Sequence, residues 1–268
     1  MHILINGANL FVEQAGNAAG PNVVFLHGFP FSHVIWDDQV RAIGPVHRTT
    51  TYDLRGHGQS DVGDGQYSVE GHVDDLFTLL DALKIEKPVI VGLSMGGYII
   101  LRALERDQQR FRAAVLCDTR SEADTNEVKV RRFKAMAAVK AADSESFAKE
   151  FVKSMLTPDA DTRVPDAVKE IISIISHTPP LAIAGTQLAL ASRTDTTASL
   201  GDLRLPVLIL VGEQDPVTPV SAAEAMRARI PGAELAVVPG ASHLSNMENP
   251  SFFNERLIAF LQRVQSKQ

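Results

Sequence analysis

Residues 89–97, VIVGLSMGG, place an apolar, β-branched run directly before a serine bracketed by glycines. A helical pattern follows at once, so the chain must turn from strand to helix within a few residues. Glycine at positions 92 and 96 spares this tight turn a Cβ that would collide with neighbouring backbone. The pattern predicts a strained backbone at Ser94, with its hydroxyl pushed out of the sheet and the first amides of the helix aimed at the same point.

Outward from this stretch, short apolar runs alternate with helical patterns. The runs, which are typical of buried strands, lie at residues 22–26, 49–52, 112–117, 205–212 and 234–238. A hairpin is predicted before them, with Asn6-Gly7 at its turn. The alternation predicts an α/β fold in which helices flank a mostly parallel, twisted sheet. Right-handed crossovers then bring the loops that follow the strands to one edge, where ligands bind.

The alternation stops after Asp118. From Arg120 to Asp202 the sequence offers amphipathic helices and no convincing strand, and the segment is far longer than an ordinary connection. Its helices are predicted at Glu127–Lys140, Ser144–Leu156, Pro165–Ser176 and Leu181–Ser192. Because the segment leaves the C-terminal end of a strand, we interpret residues 120–202 as a helical cap, or lid, on a core of residues 1–119 and 203–268. The alternative is a set of extra helices packed on the sheet.

Composition restricts the partners and the compartment. The 268 residues are 45% apolar and 22% charged, which is typical of a globular domain, and the net charge of −6 argues against a nucleic-acid partner. The single Cys117 and an N-terminus without a basic-then-apolar signal favour a cytoplasmic location. Ile171–Ser192 lacks charged residues, but Pro179 and Pro180 interrupt it, so no membrane span is expected. Nothing in the sequence indicates the oligomeric state.

Two side chains distant in sequence could activate Ser94. A serine hydroxyl needs a base to take its proton, and that base needs an acid to hold its tautomer. His243 follows the last predicted strand and Asp215 follows the strand before it, which predicts a Ser94, Asp215 and His243 triad. Asp118 is the rival acid, because it too ends a strand, and Glu213 is a further candidate. Taken singly, each triad member could also be an ordinary turn or loop residue.

Several motifs together resemble the α/β-hydrolase superfamily. They are the Gly92-x-Ser94-x-Gly96 turn, the His27-Gly28 loop, the Asp53-x-Arg55-Gly56-x-Gly58-x-Ser60 loop and the Ser94, Asp215, His243 chain order. Within that superfamily, the segments 93–97 and 242–248 look like small carboxylesterases and 3-oxoadipate enol-lactonases, and the segment 116–120 looks more like the esterases. A serine at position 94, rather than an aspartate, argues against haloalkane dehalogenases and epoxide hydrolases.

The resemblance also implies where an oxyanion would bind. The backbone amides of Met95 and Phe29 are the expected donors, since Pro30 has no N–H. His33, Trp36 and Asp118 are expected to contact the substrate. The sequence has no cluster with metal-ligand spacing and no glycine-rich phosphate loop, so we expect neither a metal nor an organic cofactor.

The expected activity is hydrolysis of a small-molecule ester or lactone through an acyl-enzyme on Ser94. Apolar, charge-poor cap helices favour short-chain monoesters. The same machinery would serve an enol-lactonase, a carbon–carbon hydrolase or a perhydrolase. The non-enzyme alternative is a small-ligand receptor built on the same fold.

Overall fold

A computed structural model describes residues 1–141 and 144–266. Eight strands form one sheet, and their bounds in chain order are β1 His2–Ile5, β2 Ala8–Gly16, β3 Asn22–Leu26, β4 Arg48–Tyr52, β5 Val89–Leu93, β6 Ala113–Cys117, β7 Val207–Gly212 and β8 Glu234–Val238. The spatial order is β1-β2-β4-β3-β5-β6-β7-β8. Strand β2 pairs antiparallel with β1 and β4, and all the other neighbours pair parallel. The predicted strands and the mostly parallel sheet are therefore confirmed.

Helices connect these strands. Their bounds are α1 Asp37–Ile43, α2 Val69–Ala82, α3 Met95–Asp107, α4 Asn126–Ala141, α5 Ser144–Lys153, α6 Ala160–Arg163, α7 Pro165–His177, α8 Pro180–Ser192, α9 Val220–Arg229, α10 Ser245–Glu248 and α11 Pro250–Ser266. Short 3-10 helices span His33–Trp36, Gln108–Arg110 and Thr197–Asp202. Local chemistry explains several starts: Ser68 Oγ accepts the N–H of Gly71 at the start of α2, and a proline opens both α7 and α8.

The sheet separates two hydrophobic cores. Alternate residues of each central strand face opposite sides, so Val24 and Ile90 join one core whereas Val23 and Val91 join the other. Helices α2, α3 and α9 cover the first face, and α1 and α11 cover the second. Strands β5, β6 and β7 are buried along their whole length. This is why their sequences are continuous apolar runs without alternation.

Helices α4–α8 lie between β6 and β7, where the sequence predicts helices without strands. In this segment α4 packs against α8, and α5 packs against α7. Its two ends are joined, because Arg193 after α8 and Arg132 of α4 both bind the buried carboxylate of Asp124 before α4. The charge-free stretch is divided between α7 and α8. Among the described residues, no helix combines the length and apolarity that crossing a bilayer requires.

Candidate active site

Ser94 lies at the sharp turn between β5 and α3. Its backbone has φ +53° and ψ −111°, a strained combination for a residue with a side chain. A Cβ on Gly96 would lie 2.4 Å from the carbonyl oxygen of Leu26, and one on Gly92 would lie 2.6 Å from the carbonyl carbon of Gly96. The two glycines are thus required by close backbone approach, as the sequence predicts.

Ser94 lies within hydrogen-bond distance of a histidine that an aspartate orients. Ser94 Oγ is 2.9 Å from His243 Nε2, and His243 Nδ1 is 2.8 Å from Asp215 Oδ2. Asp215 is fixed in turn by the Val217 and Thr218 N–H groups and by the Thr218 hydroxyl, which donates at 2.6 Å. Because the carboxylate holds the proton of the imidazole on Nδ1, Nε2 is left as an acceptor facing the hydroxyl.

The electrostatics of these groups fit a base and its supporting anion. Burial disfavours a charged imidazole, but the Asp215 carboxylate outweighs that cost and raises the pKa of His243. Burial alone would raise the pKa of Asp215. The charge and hydrogen bond of His243, with the bonds from Thr218, prevail and lower the pKa of Asp215.

Asp118 occupies a different place from Asp215. Its carboxyl is fully buried, accepts the Gly212 N–H at 2.8 Å and lies 2.6 Å from the Ser245 hydroxyl. Burial, reinforced by the nearby Asp215 carboxylate, raises the pKa of Asp118 to about 8. Its side chain thus ties β7 to α10 beneath the surface, and the expected contact of Asp118 with substrate stays a prediction that this placement does not support.

His33 and Trp36 also differ from expectation. Trp36 is fully buried and its ring packs 5.1 Å from Phe25 and 6.4 Å from Phe253, measured between centroids. His33 Nδ1 lies 2.7 Å from Asp53 Oδ1, at a cleft whose lining does not include Ser94. Their short 3-10 helix turns Trp36 into the core and His33 towards Asp53, so the expected substrate contacts of both residues stay predictions that this geometry does not support.

The two expected oxyanion donors are brought to Ser94. Met95 begins α3, so its N–H has no partner within the helix. The loop that carries Phe29 lies against the serine, since a Cβ on Gly28 would be 3.2 Å from Ser94 Cβ. Within residues 1–141 and 144–266, the N–H of Phe29 makes no backbone hydrogen bond. The role of both amides as oxyanion donors stays a prediction, which their lack of backbone partners supports.

Comparison with known families matches residues 21–250 to the family described as alpha/beta hydrolase fold. This chain belongs to the α/β-hydrolase family. The matched range runs from before β3 to the start of α11, so Ser94, Asp215 and His243 all lie within it. The predicted fold class is confirmed by this match together with the strand order.

Relatives of this α/β hydrolase carry several activities in their names. A 3-oxoadipate enol-lactonase of Acinetobacter baylyi is 31% identical over 261 residues, 97% of this chain and 95% of the lactonase. A non-heme chloroperoxidase of Kitasatospora aureofaciens is 29% identical over 271 residues, 96% of this chain and 98% of the chloroperoxidase. A solved thermophilic esterase of Thermogutta terrifontis is 31% identical, with a TM-score of 0.93 and 98% of each chain covered. The predicted resemblance to esterases and enol-lactonases is confirmed.

An aromatic cluster places α5 of this α/β hydrolase beside the loop of residues 27–30, which carries Phe29 and is called the oxyanion loop below. The ring of Phe151 on α5 stands edge-on to Phe29 at 5.8 Å, and it also contacts Phe31 and Phe147. The sequence predicts a role for Phe29 but none for Phe31, Phe147 or Phe151. The spacing of Phe147 and Phe151, four residues apart, indicates a shared helix face but not which loop that face meets.

Three histidines near the oxyanion loop are buried, namely His27, His57 and His72. His27 accepts the N–H of Leu54 at Nε2 and donates from Nδ1 to the Gly28 carbonyl, so it is neutral and braces the loop. The ring of His57 stacks edge-on to His27 at 5.3 Å. Burial is the main cause that lowers the pKa of His27 and His72 to about 4 and that of His57 to about 3.

These histidines predict a loss of stability in mild acid. Their folded pKa values lie below the unfolded value near 6.5, so the unfolded chain takes up protons first as pH falls. Stability is complete above about pH 7, and His27 and His72 should each forfeit roughly 3 kcal/mol by pH 4. The raised pKa values of Asp118 and His243 oppose this loss, whereas the lowered pKa of Asp215 acts in the same direction as the three histidines. Urea midpoints between pH 7.5 and 4.5 should therefore fall steeply, and more gently in His72→Gln. A pH-independent midpoint would contradict the neutral, buried state of these rings.

Within the described ranges, no group of three or more histidine, cysteine or carboxylate side chains is arranged to hold a metal ion. The residues around Ser94 offer a hydroxyl, an imidazole, a carboxylate and two backbone amides. Such a set can carry a nucleophile, a proton acceptor and a site for developing negative charge.

Proposed function

We propose that this α/β hydrolase is a serine esterase that cleaves carboxylic esters through an acyl-enzyme on Ser94. The observation that carries the proposal is the continuous chain from Ser94 Oγ through His243 to Asp215, with both links shorter than 3 Å. The N–H groups of Phe29 and Met95, which have no backbone hydrogen-bond partner among the described residues, give it further support. The α/β-hydrolase family membership is consistent with this chemistry.

The proposed reaction has two half-reactions. Ser94 Oγ bonds to the acyl carbon while His243 Nε2 takes its proton, and the Phe29 and Met95 amides stabilise the oxyanion. The tetrahedral intermediate collapses, the ester C–O bond breaks, and the imidazolium returns the proton to the leaving alkoxide. Water then attacks the acyl-enzyme with His243 as base, which releases the acid and restores the serine. Asp215 stabilises the imidazolium in both halves.

The proposal includes a cap over the active site, formed by the helical insertion. Residues 120–202 would form the cap, and residues 1–119 and 203–268 would form the hydrolase core. The contact of Phe151 with Phe29 is the main argument, because it sets α5 against the loop that supplies one oxyanion donor. A second argument is the backbone bond from the His243 N–H to the carbonyl of Met155, just after α5.

Short acyl chains are the proposed substrates. Ser94 is only 8% exposed and Phe29 only 7%, so little open surface surrounds the attacking oxygen. The Phe29 ring contacts Phe151 on α5, and apolar side chains next to the loop of residues 27–30 favour a small apolar acyl group. The second candidate is lactone hydrolysis, which the similarity to the Acinetobacter enol-lactonase favours. A carbon–carbon hydrolase or a perhydrolase would use the same triad.

A substrate panel tests this choice. We expect kcat/KM to be highest for p-nitrophenyl acetate or butyrate and to fall at least about tenfold towards the decanoate, because each added methylene needs apolar space. The enol-lactone of 3-oxoadipate and a dienone substrate complete the panel. A kcat/KM for the lactone far above that for every ester would replace the esterase proposal with the lactonase one. No turnover of any activated ester would favour a ligand-binding protein.

A further inference from the structure

Glu248, at the end of α10, has a carboxylate with two separate sets of donors. Its side chain is completely buried. Oε2 accepts the N–H of Ser242 at 2.7 Å, directly before His243 in the chain. Oε1 accepts the N–H and the hydroxyl of Thr157 at 2.9 and 2.7 Å, and Thr157 belongs to the insertion. One carboxylate therefore joins the histidine loop to the α5–α6 segment.

Arg163 on α6 completes this connection. Its guanidinium lies 3.2 Å from Glu248 Oε1 and donates to the backbone carbonyls of Glu248 and Gly240 at 2.6 and 2.8 Å. It therefore supplies the positive charge that a buried carboxylate requires. It also spans the loop of residues 240–248 from one end to the other, with His243 between.

The insertion holds the backbone of His243 as well. The His243 N–H donates to the carbonyl of Met155 at 2.9 Å. Two consecutive backbone amides, those of Ser242 and His243, are thus fixed by Glu248 and by Met155. Asp215 orients the imidazole ring. These two bonds fix the backbone from which the His243 side chain extends.

We propose that Glu248 is a positioning residue for His243, through which the α5–α6 segment of the insertion holds the catalytic base in register with Ser94. This inference rests on the proposed function. A satisfied buried network of this kind has one low-energy arrangement, since any shift leaves a buried donor or acceptor unpaired. Loss of the network moves the base relative to the hydroxyl without removing either group.

The substitution Glu248→Gln tests the proposal while nearly preserving volume. The amide has one acceptor oxygen, so it must present an NH2 group either to the Ser242 N–H or to the Thr157 donors. We expect kcat for p-nitrophenyl butyrate to fall about 10- to 100-fold, with KM changed less than about threefold. The reason is that the base is displaced while the acyl-binding surface stays in place.

A spectroscopic readout separates positioning from general destabilisation. The proton between His243 Nδ1 and Asp215 gives a downfield NMR resonance that His243→Ala identifies by its loss. In substrate-free Glu248→Gln this resonance should shift or broaden, whereas a purely structural role would leave it unchanged in the folded fraction. Thermal unfolding of each variant provides the folded fraction to which kcat is normalised.

Glu234→Gln is the matched control. Glu234 is the first residue of β8 and its carboxylate pairs with Arg263. It lies at the opposite end of this strand from the loop that leads to His243 and Glu248. Its kcat, KM and downfield resonance should match those of the wild type within about twofold, because a half-exposed ion pair contributes little. If Glu248→Gln does not fold, Arg163→Gln serves instead, since it leaves both carboxylate oxygens bound to Thr157 and Ser242. In that variant kcat should fall at least about threefold.

The outcomes separate this inference from the esterase proposal. If the wild-type protein does not turn over esters, the esterase proposal is wrong. The downfield resonance then still shows whether Glu248 positions His243. A wild-type protein that turns over esters, with Glu248→Gln at full normalised kcat and an unmoved resonance, overturns the positioning role alone. A change confined to KM would overturn it too, because it would place Glu248 in substrate binding.

Discussion

The variant Ser94→Ala should lose about 10⁴- to 10⁶-fold in kcat for ester hydrolysis, because it removes the oxygen proposed to form the acyl-enzyme. His243 and Asp215 do not compensate, since they act on the serine proton. Any residual rate would come from water attack on substrate bound beside the oxyanion amides. The measurement is kcat with p-nitrophenyl butyrate, corrected for spontaneous hydrolysis.

The same variant should keep its stability. The Ser94 hydroxyl bonds to His243 Nε2 and stands in a strained turn, so its loss removes little that stabilises the fold. The thermal midpoint should match the wild type or exceed it. Ser176→Ala is the control, because the Ser176 hydroxyl bonds within α7 and should leave kcat unchanged. Retention of more than about 1% of kcat in Ser94→Ala would argue against a serine nucleophile.

Asparagine should reduce kcat far more at position 215 than at position 118, the two positions that compete for the acid role. Asp215→Asn removes the charge that stabilises the imidazolium and holds the Nδ1 tautomer, so kcat should fall about 10⁴-fold. Asp118→Asn should cost less than about tenfold. With its pKa raised to about 8 by burial and by Asp215, Asp118 is mostly protonated at pH 7, and a neutral amide resembles that state.

This pair of variants serves as its own control, since both replace a buried aspartate near His243 with the same isostere. Their kcat values with one nitrophenyl ester, at pH 7 and with matched folded fractions, make the comparison. Equal losses would show that the acid role is not confined to Asp215. A larger loss in Asp118→Asn would transfer the role to the rival position.

The fold and the three proposed catalytic residues are readable from the sequence for local reasons. The glycines at 92 and 96 are required by backbone contacts that any tight strand-to-helix turn creates. Asp215 and His243 follow strands, and parallel strands bring their C-terminal ends to one edge. Neither argument needs the packing of side chains across the molecule. Short sequence runs are therefore enough to predict the fold and these three residues.

The residues around the site are a different matter. Trp36 and His33 follow β3 closely, yet their short helix turns one side chain into the core and ties the other to Asp53. Spacing does not reveal that choice. Glu248 meets Thr157 across 91 positions of chain, and such a contact has no local signature. The contact of Phe151 with Phe29 depends in the same way on how the insertion packs.

The central claim, that Ser94 is the nucleophile, is tested most directly by intact-protein mass spectrometry after reaction with a p-nitrophenyl alkylphosphonate. A serine attacks phosphorus, the nitrophenolate leaves, and a stable phosphonyl ester forms. We predict one phosphonyl group per wild-type chain, mapped to the peptide that contains Ser94, with activity lost in step and no adduct on Ser94→Ala. Full loss of activity with the label on another residue, or a labelled Ser94 with activity intact, would contradict the account.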